Sequence, residues 1–280
     1  MRDFTSNYLS CLGREIHYTE WGAGHEEVVI AWHGLARTGR DMDHVAAHLA
    51  QRYRVICPDT IGRGLSQWSP VPEAEYCLDF YARLAESLLD QLGIAHCLWL
   101  GTSMGGAIGL RAAATVARGR IRRMVLNDIG PELGEAAVQR IRAYAGQPPA
   151  FDTMAELEGF FRTVYEPYGW LSDAQWRLLV ETSMRRLPDG RVTPHYDPKM
   201  VVQFEAHPGD YRQWEHWDKL DFPILVMRGE RSDLLMPETA EAMRIRGPRA
   251  VVATIPGCGH APALNTDEQF ALVQRFFDAT

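Results

Sequence analysis

Short continuous apolar runs alternate along most of this chain with longer stretches in which apolar residues recur at helical spacing. Val28–Trp32 and Cys97–Leu100 have the length and density of buried strands, the first on both faces, and Arg54–Cys57, Ile121–Leu126, Pro223–Arg228 and Ala250–Ile255 read as further strands. Phe4–Leu9 and Glu15–Glu20, joined through Leu12-Gly13-Arg14, read as an antiparallel pair opening the chain. Gly39–Gln51 (Met42, Val45, Ala46 and Leu49 on one face), Leu78–Leu92, Ala107–Ala117, Pro237–Arg246 and Glu268–Phe277 read as amphipathic or buried helices, with Gly93 as the C-terminal stop of the second. Strand–helix alternation of this kind predicts an α/β fold: a mostly parallel, doubly wound sheet of about eight strands covered on both faces.

The rhythm breaks between residues 132 and 219. That stretch carries helical runs (Leu133–Ala145, Met154–Tyr165, Asp173–Arg186) and no good strand, and it holds Trp170, Trp176, Trp214 and Trp217. It is expected to be a helical cap inserted after the sixth strand, leaving residues 1–131 and 220–280 as the core.

Composition narrows the class. Hydrophobic content of 46% with 23% charged residues is that of an ordinary globular protein. A net charge of −7 with no run of like charge argues against nucleic acid or an anionic membrane as partner and leaves a small-molecule substrate; it says nothing of oligomeric state. The first ten residues, MRDFTSNYLS, contain no apolar core of a signal peptide, and no apolar run reaches membrane-spanning length. Five scattered cysteines without a C-x-x-C suggest reduced thiols, so a cytoplasmic location is expected.

The chemistry centres on Gly101-x-Ser103-x-Gly105, set between an apolar strand and a helix. A sharp strand-to-helix turn pushes the side chain at its tip out of the sheet, and glycine two residues to either side relieves the crowding. Ser103 is then an exposed hydroxyl at a helix N-terminus, where the Met104 N–H and the helix dipole favour developing negative charge. A serine nucleophile needs a base and an orienting acid, and reactive groups in α/β sheets gather beyond the carboxyl ends of the strands. Those loops offer His260, in Gly257-Cys258-Gly259-His260, as the base. They offer Asp233, in Gly229-Glu230-Arg231-Ser232-Asp233, as the acid, ahead of Glu230 and of Asp128, which follows the previous core strand. The turn His33-Gly34-Leu35 is suited to present the Leu35 N–H as a second oxyanion donor, with His33 supporting the turn. His44 and His48 lack the glutamate of a zinc-protease motif, so no metal is expected.

Taken together, His33-Gly34, Asp59-x-x-Gly62-x-Gly64-x-Ser66, Gly-Thr-Ser103-Met-Gly-Gly, Gly-Glu-x-Ser-Asp233 and Gly-x-Gly-His260-x-Pro262 resemble the α/β-hydrolase superfamily over most of the chain outside residues 132–219. The order Ser103, Asp233, His260 is similar to that family's nucleophile–acid–histidine order. The resemblance implies a cofactor-free hydrolase. The expected activity is cleavage of small carboxylic esters or lactones through an acyl-enzyme. A C–C bond hydrolase of a vinylogous diketone, or a ligand receptor on the same fold, are the alternatives; Leu35-Ala36-Arg37 and Ala261 depart from the C–C hydrolase pattern. The cap is expected to select the substrate, with Arg37, Trp170, Trp176 and Trp214 as candidate contacts and at least one of its tryptophans facing Ser103.

Overall fold

The computed structural model describes residues 4–279. The elements run β1 (Phe4–Cys11), β2 (Arg14–Trp21), β3 (Val28–Trp32), α1 (Asp43–Leu49), β4 (Arg54–Pro58), α2 (Pro72–Glu75), α3 (Leu78–Gln91), β5 (Cys97–Thr102), α4 (Met104–Ala114) and β6 (Ile121–Asn127). After β6 come α5 (Glu135–Ala145), α6 (Met154–Val164), α7 (Asp173–Thr182), β7 (Met184–Arg186), β8 (Val192–Pro194), α8 (Gln203–Ala206) and α9 (Trp214–Trp217). The chain then closes with β9 (Ile224–Gly229), α10 (Pro237–Ile245), β10 (Val251–Ile255) and α11 (Asp267–Asp278).

Eight strands form one sheet in the order β1-β2-β4-β3-β5-β6-β9-β10. The β1–β2 and β2–β4 pairs are antiparallel and all others parallel. Alternate residues of the central strands bury into opposite layers: Ile30, Trp32 and Trp99 join one core cluster, and Val29, Ala31, Leu98 and Leu100 the other. That two-sided burial is why these strands read as unbroken apolar runs rather than alternating ones. Trp32 and Trp99 stack with centroids 5.4 Å apart, and α4 lies so close above them that a Cβ on Gly109 would sit 2.3 Å from the Trp99 indole nitrogen.

The sheet order sets where chemistry can happen. From β3 the chain moves to β4 on one side, then crosses to β5 on the other. The carboxyl ends of β3 and β5 therefore flank a topological switch point, where loops diverge and leave a crevice. The turn His33–Leu35 and the tip at Ser103 are the two loops on either side of it.

The long segment between β6 and β9 departs from the expected all-helical pattern. Met184–Arg186 and Val192–Pro194 pair as an antiparallel hairpin, closed by a turn in which Gly190 has φ +91°. Three-residue strands are too short to leave an alternating signature, which is why only helices were legible there. Residues of α6, α7 and β8 build a separate apolar cluster around Leu157, Phe161, Tyr165, Trp176, Val180 and Val192. Ala137 and Ala145 of α5, together with Met200 and Trp217, instead join the main core.

Candidate active site

Ser103 occupies the tip between β5 and α4 with φ 51° and ψ −120°, a strained conformation for a residue with a side chain. The glycines around it carry out the packing expected of them. A Cβ on Gly101 would lie 2.3 Å from the Gly106 amide nitrogen, and one on Gly105 would lie 2.2 Å from the Trp32 carbonyl oxygen. Ser103 Oγ is 2.9 Å from Nε2 of His260, which is carried by the loop after β10.

The carboxylate behind that histidine is Asp128, not Asp233. His260 Nδ1 is 2.7 Å from Asp128 Oδ2. With Nδ1–H donated to a carboxylate, Nε2 is left as acceptor for the serine hydroxyl. Asp128 is completely buried and directly follows β6 with φ 56°. It also accepts the Gly229 N–H through Oδ1 at 2.7 Å and the Ser232 hydroxyl through Oδ2 at 2.6 Å. The loop after β9 thus reaches the site through Ser232, the neighbour of the expected acid, while Asp233 turns outward. Its side chain is 47% exposed and paired with Arg140. Partial burial raises the Asp233 pKa, and Arg140 overrides this and holds it below the ordinary aspartate range. Glu230 likewise points elsewhere, accepting the Gly257 N–H. The only sign of Asp128 in the sequence is its place directly after an apolar strand, a sign that Asp233 and Glu230 share in looser form.

The turn His33–Leu35 is held from two sides. His33 is fully buried; its Nε2 accepts the Thr60 N–H at 2.9 Å, so the proton sits on Nδ1, which donates to the Gly34 carbonyl at 2.6 Å. Because a trans peptide directs its C=O and N–H to opposite sides, tying back the Gly34 oxygen turns the Leu35 N–H the other way. Arg63, also fully buried, donates Nε to the Leu35 carbonyl at 2.9 Å, and its Nη2 lies 3.6 Å from the Met104 sulfur. It links the turn to the Ser103 tip. No feature of Arg63 itself marked it; it sits inside Asp59-x-x-Gly62-x-Gly64, where a Cβ on Gly64 would lie 2.2 Å from the Asp59 carboxylate. The Met104 N–H, in the first turn of α4, has no intrahelical acceptor.

Burial pushes the His33 pKa down from 6.5 to about 4. The neutral ring is what the native state holds, so acid favours the unfolded chain: below pH 6.5 the unfolded histidine takes up a proton that the native one refuses. This contribution is fully present above pH 6.5, and up to roughly 3 kcal/mol of it is lost between pH 6.5 and 4. An NMR titration should find the His33 imidazole neutral down to about pH 4, with stability falling across that window. Titration of this ring near 6.5 would refute the buried neutral assignment.

A second Ser–His–Asp line exists and lacks this setting. Ser6 Oγ is 2.7 Å from His17 Nε2, and His17 Nδ1 is 2.7 Å from Asp59 Oδ2. Ser6 lies on the extended edge strand β1, away from any helix N-terminus, and Asp59 spends its other contacts on the Gly39 and Leu65 N–H groups. Among the described residues, hydrogen-bond distances are therefore met twice, and a strained tip beside the His33–Leu35 turn is found at Ser103.

Two cavities meet at Ser103. One, of about 540 Å³ including its open mouth, is lined by Ser103, His260, Arg37, Arg140, Tyr144, Tyr165 and Tyr168 among others. The other, of about 300 Å³, is apolar, with Met104, Ile129, Leu133, Val138, Phe204 and Leu234 in its wall. None of the candidate tryptophans lines either. Trp170 is 78% exposed, Trp176 is buried within the α6–α7 cluster, and Trp214 donates its indole N–H to Glu132 at 2.9 Å under the Arg246 guanidinium. Trp217 is buried in the main core. The aromatics that line the two cavities are tyrosines and Phe204, which the tryptophan count did not reveal. Arg37 is not a surface residue: it is 3% exposed and pairs Nε and Nη2 with Asp41 at 2.6 and 2.7 Å. Burial opposes its charge, and Asp41 outweighs this, so it stays protonated.

A model of the alpha/beta hydrolase family matches residues 28–272. The chain belongs to that family. The hydrolase is similar to a 3-hydroxybutyrate-oligomer hydrolase of Cupriavidus necator, 37% identical over 270 residues that cover 93% of this chain and 92% of that one. It is also similar to a non-heme haloperoxidase of Rhodococcus erythropolis, 34% identical over 265 residues covering 89% of this chain and 90% of the other. Among solved structures, an alpha/beta hydrolase from Novosphingobium aromaticivorans superimposes with a TM-score of 0.88 at 33% identity, covering 99% of each chain. Among the described residues, no helix of this hydrolase is long and apolar enough to cross a membrane.

Proposed function

We propose that this hydrolase is a serine esterase that cleaves small carboxylic esters through an acyl-enzyme. The observation that carries the reading is the line Ser103 Oγ–His260 Nε2–Asp128, at 2.9 and 2.7 Å, on a strained tip beside the oxyanion turn. Ser103 attacks the ester carbonyl as His260 Nε2 takes its proton. The carbonyl oxygen, now an anion, is received by the N–H groups of Leu35 and Met104. His260 returns the proton to the departing alcohol, and Asp128 orients the imidazole and stabilises its charged form. Water deprotonated by His260 then releases the acid and restores Ser103. The step requires no cofactor.

Residues 132–219 act in this reading as the cap that walls the cavities, with Tyr144, Tyr165 and Tyr168 supplied from it. The modest cavities support short substrates, about 540 and 300 Å³ on the two sides of Ser103. The Cupriavidus relative, by its name a hydrolase of 3-hydroxybutyrate oligomers, supports short oligoesters of a hydroxy acid as the substrate class. A chain-length series of aryl esters tests the reading. Acetyl to butyryl esters should be turned over many times per enzyme and octanoyl or longer esters poorly. Best activity on long chains, or one slow stoichiometric cleavage with no cycling, would overturn it.

A further inference from the structure

The two cavities at Ser103 differ in kind. One is walled mainly by apolar side chains, with Tyr211 beside them. The other collects hydrogen-bond donors, and no carboxylate lines it: Arg37, Arg140 and the phenols of Tyr144, Tyr165 and Tyr168 face the same space as Ser103 and His260. Burial raises the pKa of all three phenols, so they remain protonated donors. Arg37 is the most telling. Its Nε and Nη2 are fully used, on Asp41 and on the Ser183 hydroxyl at 2.8 Å. Its Nη1 is buried with no hydrogen-bond partner of good geometry, the Tyr165 hydroxyl being near enough to feel its charge, beneath the Tyr165 ring whose centroid is 4.6 Å from the guanidinium carbon. A protonated guanidinium edge buried without an acceptor is an expensive arrangement for a fold to keep. It is explained when an acceptor arrives from outside, and a carboxylate is the acceptor that a single protonated guanidinium nitrogen holds most strongly, through a charge-assisted hydrogen bond. A role as a strut accounts for only part of Arg37: the bonds to Asp41 and Ser183 use the opposite edge.

We propose that Arg37, with the hydroxyls of Tyr144, Tyr165 and Tyr168, binds a carboxylate of the substrate, so that the preferred ester carries a free carboxylate on one side of the scissile bond and a short apolar group on the other. This rests on the esterase reading for the nature of the ligand, and on the cavity for where the carboxylate is held. A linear dimer of 3-hydroxybutyrate has this form: one ester bond, a terminal carboxylate and short methyl-bearing arms.

The test separates binding from turnover. The Ser103→Ala protein is titrated calorimetrically with the linear 3-hydroxybutyrate dimer and with the same dimer capped as its primary amide. The free carboxylate should bind at least about tenfold more tightly than the amide. With Arg37→Gln added, the ratio should fall to near one. Equal binding of the two probes, or a preference that survives Arg37→Gln, overturns the proposal. If the Arg37→Gln protein does not fold, Tyr144→Phe removes one cavity hydroxyl instead and should reduce the ratio severalfold; an unchanged ratio counts against the proposal just as firmly. Ser183→Ala, which touches only the strut side of Arg37, should leave the ratio as it was. Turnover by the wild-type enzyme is measured separately. Preferential binding without ester cleavage sinks the esterase reading and leaves the carboxylate site standing; cleavage of neutral esters with no carboxylate preference does the reverse.

Discussion

Replacing Ser103 by alanine is expected to lower kcat by roughly 10⁴–10⁶-fold, by analogy with the loss of a nucleophile from other serine triads. The size follows from the unit nature of the arrangement. Without the hydroxyl, His260 has no proton to take and the oxyanion donors have no tetrahedral intermediate to hold, so only binding and orientation of water remain. The fold should survive, because the change removes one oxygen from a partly exposed tip whose backbone is pinned by the Ser103 N–H to Asn127 carbonyl bond at 2.9 Å. Circular dichroism and melting temperature close to wild type, with activity gone, is the expected pair of results. A fluorophosphonate should label the wild-type protein at Ser103 and leave the variant unlabelled. Retention of near-wild-type turnover by Ser103→Ala would end the serine mechanism.

Asp128→Asn should lower kcat by about 10⁴-fold, the size of effect seen when an orienting carboxylate is made neutral in a serine triad. Asparagine is nearly isosteric and keeps two of the three contacts: its oxygen still accepts the Gly229 N–H, and its amide donates where Ser232 now donates to it. What it loses is the acceptor for His260 Nδ1–H and the negative charge behind the imidazolium. An amide facing Nδ1 favours the tautomer with the proton on Nε2, which is the wrong one for a base. Asp233→Asn is the matched control. It weakens only a half-exposed pair with Arg140, worth about 0–1 kcal/mol, and kcat should stay close to wild type. A crippled Asp233→Asn beside a mild Asp128→Asn would reverse the assignment of the acid.

The amino-acid sequence by itself determined the architecture and two members of the hydrogen-bonded line, Ser103 and His260. Unbroken apolar runs at Val28–Trp32 and Cys97–Leu100 follow from burial on both faces, and no tertiary detail is needed to see them. The Ser103 tip was legible because its constraint is local: a strand, a tight turn and a helix within ten residues leave room only for glycine at 101 and 105. His260 and the turn at Gly34 were legible for a related reason, each standing directly beyond a strand end. Tertiary structure decided the rest. Which of three carboxylates serves His260 depends on strand order, because β6 lies beside β5, and on the φ 56° that swings Asp128 inward while the next loop carries Asp233 to the surface. The hairpin β7–β8 was hidden because three-residue strands leave no periodic signal. The choice of tyrosines over tryptophans at the cavity wall, and the burial of Arg37 with one edge unpaired, depend on how the segment after β6 settles on the sheet. Packing between segments distant in sequence sets those outcomes, and hydrophobic pattern records only that a side chain is buried, not against what.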